Sequence, residues 1–69
     1  MTMHKTKGWN LLAVGWRDGV LTCEFPGGRQ YRYAGVPEEE CAKLIRSPFP
    51  DKLFTSNIKG KYTAERIDA

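Results

Sequence analysis

Apolar side chains recur at every second position over residues 11–16, 20–25 and 29–34, and each stretch is rich in aromatic or β-branched residues. That period is the signature of half-buried strands. Asp18-Gly19 separates the first two stretches. Asp tolerates the left-handed region and Gly prefers it, so the pair predicts a type I′ hairpin turn. Pro26-Gly27-Gly28 separates the second and third, with glycine supplying positive φ and proline closing the strand before it. Connections this short predict an antiparallel meander. Alternation puts Leu12, Val14, Leu21, Cys23, Phe25, Tyr31 and Tyr33 on one buried face, with Trp16 aligned, and leaves Glu24 and Arg32 in water.

The period then changes. Pro37 suits a first helical position, Glu38, Glu39 and Glu40 complement the positive end of a helix dipole, and Cys41, Leu44 and Ile45 stand at i, i+3 and i+4. Arg46 suits the last turn, and Ser47-Pro48 and Pro50 end the helix. Residues 50–58 predict a second short helix that buries Leu53, Phe54 and Ile58, and residues 58–67 read as a loop with a short strand. The predicted class is therefore α+β: an antiparallel meander of three strands, or four, packed by one main α-helix and a second short one. Residues 1–8 read as a mobile leader and residues 9–69 as a single domain.

A chain of 69 residues makes one domain. Such a domain buries only roughly 60% of the surface its unfolded chain exposes, so its stability is marginal. Two Trp, three Tyr and three Phe compensate, and most of them are expected in the core. Cys23 and Cys41 form no metal-ligand spacing and read as reduced thiols, and His4 is the lone imidazole. No metal or other cofactor is expected. No stretch approaches the roughly 20 apolar residues of a membrane span, and the polar residues 1–7 lack the apolar core of a signal peptide. The expected location is the cytoplasm, without membrane contact.

The chemistry-bearing residues point away from catalysis. Acyl transfer needs a nucleophile, a base and an orienting group, and His4 lies in the leader, away from either cysteine. Glu38 to Glu40 are accounted for by the helix dipole. Pro26-Gly27-Gly28-Arg29 lacks the lysine and hydroxyl of a P-loop. The basic residues carry more meaning, although lysines at this density also suit a solvated face. The formal net charge is +3. Lys59, Lys61 and Arg66 surround Tyr62 near the end of the chain, and Arg29 and Arg32 lie on the third strand. Cations that displace condensed counterions and rings that stack on unpaired bases are what a nucleic-acid surface requires. Gly60 would let the backbone approach a phosphate closely.

Gly15-Trp16, Leu21, Phe25, Gly28, the run Tyr31-Arg32-Tyr33 to Gly35-Val36-Pro37, Leu44, and the ending Phe54, Asn57-Ile58 and Tyr62 together resemble the KTSC domain. The resemblance spans about residues 10–67. Its departures are Lys7-Gly8-Trp9-Asn10, where members commonly carry serines, and Phe54-Thr55-Ser56-Asn57, where they often join Phe to Asn directly. KTSC modules stand alone in bacterial and phage proteins and also follow some lysyl-tRNA synthetases. The resemblance therefore implies an RNA-related accessory role. The function expected is a non-catalytic module that binds RNA or another nucleic acid. The rival is a protein-interaction module, such as a phage or prophage protein that binds a host or defence protein through Trp9 and Arg17. Either can act as a monomer or a homodimer.

Overall fold

Asp18 and Gly19 both take positive φ, 51° and 82°. These are the two left-handed residues a type I′ turn needs, and they close strand on strand with the natural right-handed twist. In the computed structural model, which describes residues 3–67, the elements are β1 (His4–Lys5), β2 (Ala13–Arg17), β3 (Val20–Phe25), a 3-10 turn (Pro26–Gly28), β4 (Arg29–Ala34), α1 (Glu38–Arg46), α2 (Pro50–Asn57) and β5 (Ala64–Arg66). The strands form one antiparallel sheet in the order β1-β2-β3-β4-β5. The class is α+β, as the periodicity implies.

The sheet has five strands, not three or four. Both extra strands are edges too short for a periodic signal. β1 comes from the stretch read as a mobile leader: His4 pairs with Val14 and Lys5 with Ala13, and the Thr6 hydroxyl donates to the Leu11 carbonyl. Residues 1 and 2 of that leader lie outside the described residues. β5 pairs Tyr31 with Arg66, Arg32 with Glu65 and Tyr33 with Ala64.

Register divides the sheet into two faces. Val14, Cys23 and Tyr31 are cross-strand neighbours on one, as are Trp16, Leu21 and Tyr33. This face meets the helices, and Leu11, Val14, Leu21, Cys23, Tyr33, Val36, Cys41, Leu44, Phe54 and Ile58 form the core between them. Trp16 is half-buried, and its indole N–H donates to the Val36 carbonyl at 2.7 Å. Gly15, Thr22 and Arg32 line up on the opposite face.

Leu12 departs from the expected pattern. It is 39% exposed, and Leu11 is fully buried in its place. The Leu12 N–H donates to the Glu24 carbonyl at 2.8 Å while Ala13 is already the register partner of Glu24. Two residues therefore oppose one, as in a β-bulge, and the alternation flips before β2 begins. A second difference concerns Pro37, which stands before the first helical residue with extended ψ of 148° rather than inside the helix. Its carbonyl accepts from the Glu40 N–H at 3.1 Å.

Cys23 and Cys41 are free and buried. Burial, with Cys41 nearby, pushes the Cys23 thiol up to about 12. Burial and then Glu38 push the Cys41 thiol up as well. Both stay protonated at neutral pH, which suits core residues and not nucleophiles. Among the described residues, no helix is long and apolar enough to cross a membrane.

Candidate functional site

α2 is short, and its end decides where the basic residues go. Pro50 occupies its first position, where the missing N–H is harmless, and Phe54 is buried one turn on. The Ile58 and Lys59 N–H groups both donate to the Phe54 carbonyl, at 2.9 and 3.0 Å. Gly60 then takes φ of 86°, a left-handed value that strains any residue with a Cβ. This reverses the chain, so that the Lys61 and Tyr62 N–H groups donate to the Ile58 carbonyl at 3.1 and 3.2 Å. Lys59 and Tyr62 are thereby bridged beside Phe54.

The sheet supplies the opposite wall. Phe25 meets Tyr31 edge-on at 5.6 Å and Phe54 at 5.5 Å, and Tyr33 meets Phe54 edge-on at 5.5 Å. Between the two walls runs a groove of about 300 Å³ lined by Phe25, Arg29, Tyr31, Tyr33, Phe54, Lys59, Gly60, Tyr62 and Ala64. Phe25, Tyr31 and Tyr62 are half-buried, so their rings keep surface for a ligand. Burial, and then the neighbouring Cys23 and Tyr31, push the Tyr33 hydroxyl up to about 12. It therefore remains a neutral hydrogen-bond donor at physiological pH.

Two cations stand at this groove. The Arg29 Nε donates to the Pro26 carbonyl at 3.1 Å, which fixes the side chain and, among the described residues, leaves its terminal nitrogens without a partner. Among the described residues neither Arg29 nor Lys59 is in an ion pair. The other basic residues distribute differently. Lys61 is exposed on the Gly60 turn and does not line the groove. Arg66 lies across from Tyr31 and has an interaction of its own. Arg32 is on the opposite face and pairs with Glu65 at 2.7 Å. The groove thus gathers Arg29, Lys59 and Tyr62, keeps Lys61 and Arg66 beside it, and separates Arg32 from them.

A larger cavity of about 500 Å³ lies between the β1–β2 edge and α1, lined by His4, Trp16, Arg17, Glu38, Glu39, Cys41, Ala42 and Ile45. It brings the imidazole near a thiol, but that thiol is held protonated. Glu38 and Glu39 oppose a polyanion there, and Arg17 is already 3.7 Å from Asp18. Trp9 does not line this cavity and is 90% exposed. Among the described residues, no group of three or more His, Cys, Asp or Glu side chains is placed to hold a metal ion.

Sequence reasoning missed one organising residue. The Asp51 carboxylate accepts from the Trp9 N–H and the Leu11 N–H, each at 2.8 Å, and from the Asn10 N–H at 3.2 and 3.3 Å. It clasps the segment that enters the sheet to the start of α2. Gly8 is part of the same join, since a Cβ there would sit 2.5 Å from the Leu11 carbonyl oxygen. Burial pushes the Asp51 carboxyl up, but the N–H donors of Leu11, Trp9 and Asn10 outweigh it and hold the pKa below its ordinary 3.8.

A group with a depressed folded pKa stabilises the fold fully above its unfolded value. That contribution disappears as pH falls through the folded value. Asp51→Ala is expected to cost about 1–2 kcal/mol at pH 7, because charge-assisted hydrogen bonds at a wet site are worth less than buried ones. The melting temperature should fall by about 5–15 °C for a domain this small. The difference between parent and variant should shrink below roughly pH 4. A constant difference from pH 7 to pH 2 in circular dichroism melts would show that the carboxylate charge is not what holds the segment.

The KTSC domain model matches residues 9–62. A crystal structure of a KTSC domain protein from Yersinia pestis is similar to this chain over 97% of both chains, with 26% sequence identity and a TM-score of 0.85. None of the curated proteins matches this chain. The family match spans β2 to the Gly60 turn, and the chain belongs to the KTSC domain family.

Proposed function

We propose that this chain is a small RNA-binding accessory module that holds single-stranded segments in the aromatic groove. One observation carries the reading: Arg29 and Lys59, unpaired among the described residues, flank a groove walled by Phe25, Tyr31 and Tyr62. Phosphates would meet the cations and a base would lie against the rings, the combination that binds unpaired nucleotides. Lys61 on the adjoining turn extends the positive field. The resemblance to modules that follow lysyl-tRNA synthetases supports RNA over other polyanions.

Affinity for a fluorescent single-stranded RNA should fall linearly on a log–log plot against salt, by about 0.7 per phosphate contact. Arg29 and Lys59 alone would give a slope near −1.4 on that scale, and Lys61 would steepen it. Anisotropy titrations from low to high salt measure this. Salt-insensitive binding, or none to tRNA, single-stranded RNA or single-stranded DNA, would remove the proposal.

A second reading rests on different residues. Trp9 is 90% exposed and Phe49 72% exposed. Trp9 is tied by its N–H to Asp51, two residues beyond Phe49, so the Trp9 backbone lies close in space to the start of α2, which follows Phe49. Exposed aromatic anchors are typical centres of protein contacts. A stoichiometric partner captured from nuclease-treated bacterial lysate, and lost with Trp9→Ala, would favour this reading.

A further inference from the structure

The geometry points to a base-reading subsite beside the aromatic groove, formed by Asn10, Asp51 and Thr55, which selects adenine and cytosine over uracil. The inference rests on the RNA-binding reading of the groove. A recess of about 160 Å³ adjoins the groove, and the two share Phe25, Phe54 and Lys59 in their walls. A strand with one base on the rings of the groove would therefore place the next base in the recess. Lys59, in the shared wall, stands where the phosphate between them would lie.

The recess differs from the groove in chemistry. Asn10, Asp51 and Thr55 line it together with Leu11. The Asp51 carboxylate accepts hydrogen bonds only, and of its roughly four lone-pair positions the two 2.8 Å bonds take one each. The Asn10 N–H is shared between both oxygens at 3.2 and 3.3 Å, so acceptor capacity remains. Thr55 donates its hydroxyl proton to the Asp51 backbone carbonyl at 2.9 Å, which leaves only lone pairs for a ligand. The Asn10 side-chain amide has no partner among the described residues and offers one acceptor and one donor group. Its backbone is held by Asp51, so the amide is presented from a fixed point.

The recess thus offers acceptors from Asp51 and Thr55, with the Asn10 amide and the Lys59 ammonium as its side-chain donors. A matching base edge has an amino donor beside a ring-nitrogen acceptor, which adenine and cytosine both have. Uracil presents carbonyl oxygens on either side of a single N–H and would set lone pairs against lone pairs. The negative charge of Asp51 also keeps a phosphate out of the recess, which fixes the register of the strand.

Octamers of U, C and A test this by anisotropy. The A and C octamers should bind about five- to tenfold more tightly than the U octamer, the discrimination one good side-chain pair provides. Asn10→Ala should bring that ratio close to one while keeping the parent's salt slope, because it removes a base contact and no phosphate contact. The Asn10 side chain is exposed and, among the described residues, unpartnered, and a circular dichroism melt checks that the variant folds. Equal affinity for the three octamers, or a preference that survives in Asn10→Ala, would overturn the subsite but leave the groove standing. Absence of binding to all three would overturn both.

Discussion

Phe54→Ala is expected to leave the chain largely unfolded at 37 °C, while Phe54→Leu should melt within about 15 °C of the parent. A domain of 69 residues has roughly 3.5–10 kcal/mol of stability to lose. Truncating a buried phenylalanine to alanine removes about 3–5 kcal/mol. Here the loss lies at the upper end, because the Phe54 ring meets both Phe25 and Tyr33 at 5.5 Å. Its position adds to the effect. Pro50 and Phe54 are the buried residues of α2, so this ring is the main apolar attachment of the helix. Leucine refills part of the volume and should cost about 1–2 kcal/mol. Thermal melts and urea midpoints of both variants measure the difference. A fall of under about 5 °C for Phe54→Ala would mean that α2 is not held by the aromatic cluster.

What the sequence revealed follows from the range of the interactions involved. The turns at Asp18-Gly19 and Pro26–Gly28, and the helix dipole at Glu38 to Glu40, are signals contained within a few residues, and the structure places turns and a helix there. The Asp51 clasp joins residues about forty apart in sequence. Nothing in a Pro-Asp pair announces such a partner, since an aspartate there also suits the first turn of a helix. The burial of Leu11 in place of Leu12 comes from the same region, where an extra residue against Glu24 shifts the period by one. A shift of one exchanges the faces, so alternation reads the wrong leucine as core. β5 falls within the stretch read as a loop with a short strand, whereas β1 is held by pairing to a strand already formed, and its two residues carry too little pattern to be read alone.

The candidate site was partly legible for a related reason. Lys59, Gly60 and Tyr62 form one local cluster, and the turn at Gly60 folds them together. Arg29 enters only because β4 lies across from α2, and that is tertiary information. Phe25 and Tyr31 were read as inward-facing and Tyr62 as a stacking ring, and all three are half-buried, so one set of rings packs and still keeps exposed surface. Arg32 is the instructive case. Positions 29, 31 and 33 share one face of a strand and position 32 the other, so its grouping with Arg29 on charge alone ran against the period of the strand.

That separation gives a sharp binding experiment. Arg29→Gln combined with Lys59→Gln should weaken single-stranded RNA about thirtyfold at low salt, whereas Arg32→Gln should change affinity by no more than about threefold. An exposed charge-assisted phosphate contact is worth about 1 kcal/mol, and two of them make about 2 kcal/mol, which is roughly thirtyfold in Kd. The salt slope of the double variant should flatten by about 1.4, the counterion release of two contacts to a single strand. Arg32 is held by Glu65 at 2.7 Å on the far face, so its field is largely spent on that neighbour. All three substitutions lie on exposed side chains and leave the core intact, so the comparison is one of surface charge and not of folding. If Arg32→Gln weakened binding as much as the double variant, the strand would lie on the open face of the sheet, and the groove between β4 and α2 would lose its claim as the binding site.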